Sequence, residues 1–172
     1  MKRRLVIALL CLMIFPSIPP STGQASEDSC QTLENVFKTK MNGGGGICKL
    51  NIPRKKLNVT MNGLKLPADF MSIGFMVNFK QVGDKTAVMG EFALLGDEVN
   101  PVIDQLRKGQ LEITALHNHM IDENPRIFFL HFKGVGDINR MSQAVKSAIL
   151  ETHEKNKNRH YINLTNKSGL SE

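Results

Sequence analysis

The sequence predicts an α+β domain, with a mainly antiparallel sheet and helices packed over one face. Three observations carry this. Short alternating runs follow one another through residues 47–95, with Asn62-Gly63, a strong two-residue hairpin signal, between two of them. Residues 86–151 then read as strand, helix, strand, strand, helix, a C-terminal unit of mixed period. Hydrophobic residues make up 41% of the 172-residue chain, enough for one buried core and too many for wholesale disorder.

The elements follow in order. Residues 29–41 read as a short helix, because Leu33, Val36, Phe37 and Lys40 keep helical spacing and Ser29 can cap it. The run Asn42-Gly43-Gly44-Gly45-Gly46 ends that helix and reads as a flexible connection. It lacks the Lys-Ser/Thr of a phosphate loop and precedes a strand, not a helix. Residues 47–52 alternate as a strand, closed by Pro53-Arg54. Leu57, Val59 and Met61 alternate up to Asn62-Gly63, and Leu64 and Leu66 resume beyond it. Residues 70–79 and 86–95 are strands around a turn at Val82-Gly83-Asp84-Lys85. A helix starts at Asp97 or Asn100, with Pro101 in its first turn and Gly109 at its end. Asp97 and Glu98 read as helix-start carboxylates favoured by the macrodipole. Residues 111–120 and 127–133 are strands, apolar enough on both faces to be expected as central ones. Asp137 caps a last helix that turns Ile138, Met141, Val145, Ala148 and Ile149 inward.

The ends stand apart from this domain. Lys2, Arg3 and Arg4 precede an eleven-residue apolar run at 5–15. Gly23-Gln24-Ala25 places small residues at −3 and −1 of a cut after Ala25. Residues 1–25 therefore read as a secretory signal peptide, residues 26–152 as a single domain and residues 153–172 as a polar tail. An uncleaved anchor is the weaker alternative, since a membrane-spanning helix needs about 20 apolar residues. The mature chain is expected to carry no transmembrane helix and to be exported: secreted, periplasmic or held at the cell envelope.

The formal charge of +6 overstates the basicity of the mature protein. Residues 1–25 hold three basic and no acidic residues, which leaves 19 basic against 16 acidic, or +3. Nucleic acid is a poor partner for so small an excess. Cys30 and Cys48 remain after cleavage. In an oxidising compartment they either pair, tying the N-terminal helix to the first strand, or stay as two thiols. Asn58-Val59-Thr60, Asn163-Leu164-Thr165 and Asn166-Lys167-Ser168 are glycosylation sequons that matter only in a eukaryotic secretory pathway.

The chemistry concentrates in one hairpin. Three of the five histidines, His117, His119 and His131, fall within fifteen residues, beside Asp122 and Glu123. Residues two apart on a strand share a face, so His117 and His119 can address one spot. A three-residue loop, Glu123-Asn124-Pro125, pairs Asp122 with Arg126 and sets His131 opposite His117 on that face. A two- or four-residue loop turns His131 away. Three converging imidazoles are a ligand set for zinc or another divalent transition metal, and an open position on such an ion can activate water. Glu91 interrupts an apolar run and is a candidate fourth ligand or general base if its strand lies beside the hairpin. Glu123 is the other candidate for moving a proton. Against this stands the plainer reading that the histidines line a polar groove or pair with carboxylates.

Named motifs fit poorly. His117-x-His119-x3-Glu123 has the letters of the first cupin motif, but His131 follows too soon for the second. His153-Glu154 begins like a zinc-protease helix, yet position 157 is Lys. His117-Asn118-His119 lacks the spacing of the nuclease class it spells. No nucleophilic Ser or free Cys accompanies the hairpin in sequence.

Four segments carry a family resemblance: Val88-Met89-Gly90-Glu91, Asp97-Glu98-Val99-Asn100-Pro101-Val102, Glu112-Ile113-Thr114-Ala115-Leu116-His117-Asn118-His119 and Glu123-Asn124-Pro125-Arg126. With Pro53-Arg54 and the Asn62-Gly63 hairpin, they resemble the LppY/LpqO-type family of bacterial exported proteins and lipoproteins, a domain of unknown function. The resemblance covers roughly residues 30–151. It implies export and fold, and no activity. Many relatives look longer, with two such units, so a chain with one implies a homodimer. A clear lipid-attachment box is missing here, since neither Cys11 nor Cys30 follows a suitable small-residue motif.

Three readings of function follow. The first is an exported binding module whose histidine-lined hairpin takes a small-molecule or envelope ligand or a metal. The second is a metal-dependent hydrolase built on His117, His119 and His131, with Glu91 or Glu123 as the acid-base group. A structural envelope protein that dimerises through its sheet is the third reading.

Overall fold

The computed structural model describes residues 24–154. The expected signal peptide lies almost wholly outside the described residues, as do the sequons at Asn163 and Asn166 and the tail from residue 155 onward.

Helix α1 (Gln24–Phe37) leads into a six-stranded antiparallel sheet. Its spatial order is β1 (Asn42–Gly44), β2 (Ile47–Pro53), β5 (Gly74–Val82), β6 (Lys85–Leu94), β9 (Phe128–Gly136) and β7 (Glu112–Asn118). A small second sheet holds β3 (Thr60–Met61) between β4 (Leu64–Lys65) and β8 (Glu123–Asn124). Helices α2 (Val99–Lys108) and α3 (Ile138–Leu150) complete the α+β domain. Strand β9 is antiparallel to both β6 and β7, so β6 and β7 run the same way with β9 inserted between them. The expected strand-helix-strand-strand-helix unit is therefore a βαβ crossover split by the last strand, with the short β8 added in its hairpin.

The period-2 alternation divides the two faces of the sheet. Phe75, Val77 and Phe79 of β5, Val88, Phe92 and Leu94 of β6, and Leu130 and Phe132 of β9 point to one side. There they meet Leu33, Val102, Leu106, Met141, Val145, Ala148 and Ile149 from the three helices. Phe75 and Phe92 pack edge to face at 4.9 Å, and Phe92 and Phe132 at 5.1 Å. The Phe132 ring lies over Gly90, its partner on β6, in the space a Cβ would take. Cys30 and Cys48 form a disulfide with Cα atoms 5.4 Å apart, joining α1 to β2.

A second contact joins the end of β2 to the start of α2. Arg54 and Glu98, both fully buried, form a two-pronged ion pair with N–O distances of 2.7 and 2.7 Å. Arg54 also donates to the Ala93 carbonyl at 2.8 Å. The Glu98 carboxylate further accepts from the backbone N–H of Leu95 and of His153, each at 2.8 Å. Burial pushes the Glu98 carboxyl up. The hydrogen bonds and charge of Arg54, with the two N–H donors, outweigh that and hold it below the usual carboxylate range.

The structure departs from the sequence expectation in several places. Helix α1 begins and ends earlier than 29–41, with Ser29 inside it. Lys38 at φ 53° stops it, and Glu34 binds back to the N–H of Met41 and to Lys40. The glycine run is a hairpin rather than a loose connection: Asn42–Gly44 pairs with β2, and Gly45 and Gly46 turn at φ 60° and 73°. The strand expected at 70–79 begins only at Gly74. Residues 67–72 are instead a turn that leaves Phe70 exposed, closed by Ile73 N–H donating to Ala68 O at 2.7 Å. Strand β9 is internal, but β7 lies at the sheet edge with Glu112 and Ala115 to Asn118 exposed. Its apolar letters do not cover both of its faces.

Candidate functional site

Opposite the helices, the sheet is covered at one end only. Val59, Ala68, Met71 and Ile73, from β3 and its flanking turns, pack on Ala93, Ile127 and Phe129 there. Beyond this small cluster the face stays open. It forms a groove of about 550 Å³ lined by Met76, Asn78, Met89, Glu91, His131 and Lys133.

Register places His131 in it and His117 beside His131 on the same face. Strand β7 pairs His117 with Phe129 and Ala115 with His131, with a register shift between Ile113 and Ala115. This is two residues away from the register of a three-residue loop, so the parity survives and His131 shares the face of His117. The connection itself is longer than expected. His119 N–H donates to Ile127 O at 2.9 Å, and β8 then pairs with β3. Asp122 takes φ 63°, and its carbonyl accepts from Asn62 N–H at 3.2 Å.

His117 and His131 come together diagonally. Their rings meet edge to edge, centroids 5.1 Å apart, with the two Nε2 atoms 2.9 Å apart. Strand β6 supplies the third group: Glu91 is the ladder partner of His131, with Oε2 3.3 Å from its Nε2. The proton positions follow from the partners. Nδ1 of His117 lies 3.0 Å from the Asn118 carbonyl, which can only accept, so Nδ1 carries the proton and Nε2 offers a lone pair in the neutral ring. Nε2–H of His131 then donates to His117, with the Glu91 carboxylate facing the same proton. His131 and Glu91 are about one-third exposed, at 34% and 27% of their side chains, so this centre faces the open groove.

His119 stands apart from that pair. Its Nδ1–H donates to Glu123 Oε2 at 2.7 Å, and its ring stacks on Phe129 at 4.5 Å. The same Phe129 ring lies 6.0 Å from that of His117. Glu123 Oε1 accepts from the N–H of Ile127 at 2.8 Å and of Met120 at 3.4 Å. With 1% of its side chain exposed, Glu123 is occupied in folding the hairpin loop around itself, while Glu91 stays available in the groove. Among the described residues, no three or more His, Cys, Asp and Glu side chains are grouped to hold a metal ion as they stand.

Phe129, Met76, Met89, Asn78 and Lys133 escaped the sequence reading. Part of the signal was available: Phe129 and Lys133 share strand parity with His131, and Met89 with Glu91, whereas Met76 and Asn78 of β5 join that face only as the ladder partners of Glu91 and Met89. Lys133 is neutralised in part by Glu112, 3.6 Å away, with both side chains more than half exposed.

An α+β domain with one helix-covered sheet face and one open, histidine-bearing face is the class these features define. The chain belongs to the family described as Domain of Unknown Function (DUF1259), which matches residues 31–151 and so takes in every residue of the groove. No curated protein and no solved structure matches the chain significantly.

Proposed function

We propose that this chain is an exported binding domain of the LppY/LpqO type, secreted or held at the cell envelope, whose site is the open-face groove at His131 and Glu91 together with His117 beside them. The observation that carries this reading is the contact of two partly exposed imidazoles, His131 in that groove and His117 beside it. Such a pair gains nothing for folding that two apolar residues would not supply, and it presents polar recognition groups on a rigid sheet. The Cys30–Cys48 disulfide supports an oxidising compartment. No helix among the described residues is long and apolar enough to cross a membrane. The hydrolytic alternative retains Glu91 as its acid-base group and loses Glu123, whose oxygens are occupied.

Native mass spectrometry of the chain recovered from the medium or envelope of exporting cells tests the reading. One retained ion or small molecule is expected, and it disappears in a His117→Ala/His131→Ala variant. A bare polypeptide mass for the unsubstituted chain would overturn the proposal.

A further inference from the structure

We infer that the groove holds a divalent transition-metal ion of the zinc class, bound by Nε2 of His117, Nε2 of His131 and Oε2 of Glu91. This rests on the reading of the groove as a binding site and names what it binds. Three arguments converge on these atoms. The first is distance. Zinc takes imidazole nitrogen at about 2.0–2.1 Å, so tetrahedral donors lie about 3.3 Å apart. The Nε2 atoms of His117 and His131 are 2.9 Å apart, and Oε2 of Glu91 is 3.3 Å from Nε2 of His131. An ion that replaces the shared proton needs the two rings to part by a few tenths of an ångström.

The second argument is orientation. A ligating imidazole ordinarily donates its other ring N–H to a carbonyl or carboxylate, which fixes the tautomer and aims the lone pair. His117 does this through Nδ1–H to the Asn118 carbonyl, so Nε2 is preset as a ligand. Phe129 lies against the His117 ring and is itself backed by His119, which Glu123 holds at 2.7 Å. His119 is thus a positioning residue acting through Phe129. The donor set is two histidines and one carboxylate, where the sequence pointed to three histidines.

The third argument is selectivity. Two imidazoles and one carboxylate suit zinc, nickel or copper, whereas calcium and magnesium favour sets made of oxygen. Three protein ligands at a groove open to solvent leave a coordination position for water or a small ligand.

Cobalt(II) is the probe, with zinc in competition and calcium as control. The intact exported chain is expected to take up one equivalent of cobalt, with the visible absorption of a tetrahedral site, displaced by zinc and not by calcium. His117→Ala and His131→Ala should each weaken uptake by more than the roughly 10–100-fold that outer-shell partners contribute. Glu91→Ala should weaken it at least tenfold. His119→Phe, which keeps an aromatic ring on Phe129, should retain it. The far-UV circular dichroism of each variant confirms folding. No cobalt uptake by the unsubstituted chain overturns the proposal, as does uptake that survives in the His117→Ala/His131→Ala chain. Loss of uptake in a folded His119→Phe chain overturns the donor set. An organic adduct in native mass spectrometry together with no cobalt uptake would leave the binding domain standing and the metal site refuted.

Discussion

Arg54→Met is expected to lower the unfolding free energy by about 3–5 kcal/mol, the cost of breaking a buried ion pair from one side. Arg54 and Glu98 are 0% and 1% exposed, and besides the guanidinium the carboxylate accepts from the N–H groups of Leu95 and His153, with the His153 imidazole 3.8 Å away. Without Arg54 the charge stays buried with half its donors gone. The double variant Arg54→Met/Glu98→Gln should recover part of the loss, because the uncompensated charge leaves with it. Urea unfolding measures both, and a loss under about 1 kcal/mol for Arg54→Met would contradict the argument.

The same pair predicts a pH dependence. The Glu98 carboxyl is lower in the folded chain than its ordinary value. A depressed carboxyl contributes stability that is fully present above the unfolded value, about 4.3, and is lost as the pH falls through the native one. In Arg54→Met burial acts without the guanidinium and the protonated acid becomes the tolerated form. The stability gap between the two proteins should therefore narrow on acidification. A gap that widens below about pH 4.3 would contradict the assignment.

The second large effect belongs to the disulfide. Cys30 and Cys48 are 18 residues apart, and opening a loop of that size should remove about 3 kcal/mol through the entropy of the unfolded chain. Cys30→Ser/Cys48→Ser is expected to unfold at correspondingly lower urea, and reductant should bring the unsubstituted chain to the same midpoint. Equal midpoints with and without reductant would show that the bond is not made.

Much of the fold was legible because local rules decided it. Asn62-Gly63 turns where expected, with Asn62 at φ 50° and Gly63 at φ 77°. The Asp137 carboxylate accepts from Arg140 N–H at 2.8 Å and starts α3. The glycine run is locally ambiguous because Gly45 and Gly46 satisfy a tight turn as readily as a loose linker. The edge position of β7 is not legible locally, because Ile113, Ala115 and Leu116 look the same at an edge as in the middle of a sheet.

The site was half legible. Parity put His117 and His131 on one face, and Glu91 met its stated condition when β6 proved to flank β9. His119 followed the same parity yet went to Glu123, since a carboxylate four residues on can fold a loop around itself and no spacing rule reports that. The Arg54–Glu98 pair spans 44 residues. Nothing local announces it, and Glu98 read as a helix-start acid.

The most direct measurement is long-range proton–nitrogen correlation NMR of the five imidazoles at about pH 8, where an ordinary histidine is neutral. His117 should carry its proton on Nδ1 with Nε2 free, and His131 on Nε2, and one equivalent of zinc should move the Nε2 signals of both. A His117 protonated on Nε2, with ring signals that ignore His131 and zinc, would contradict the site at the centre of this account.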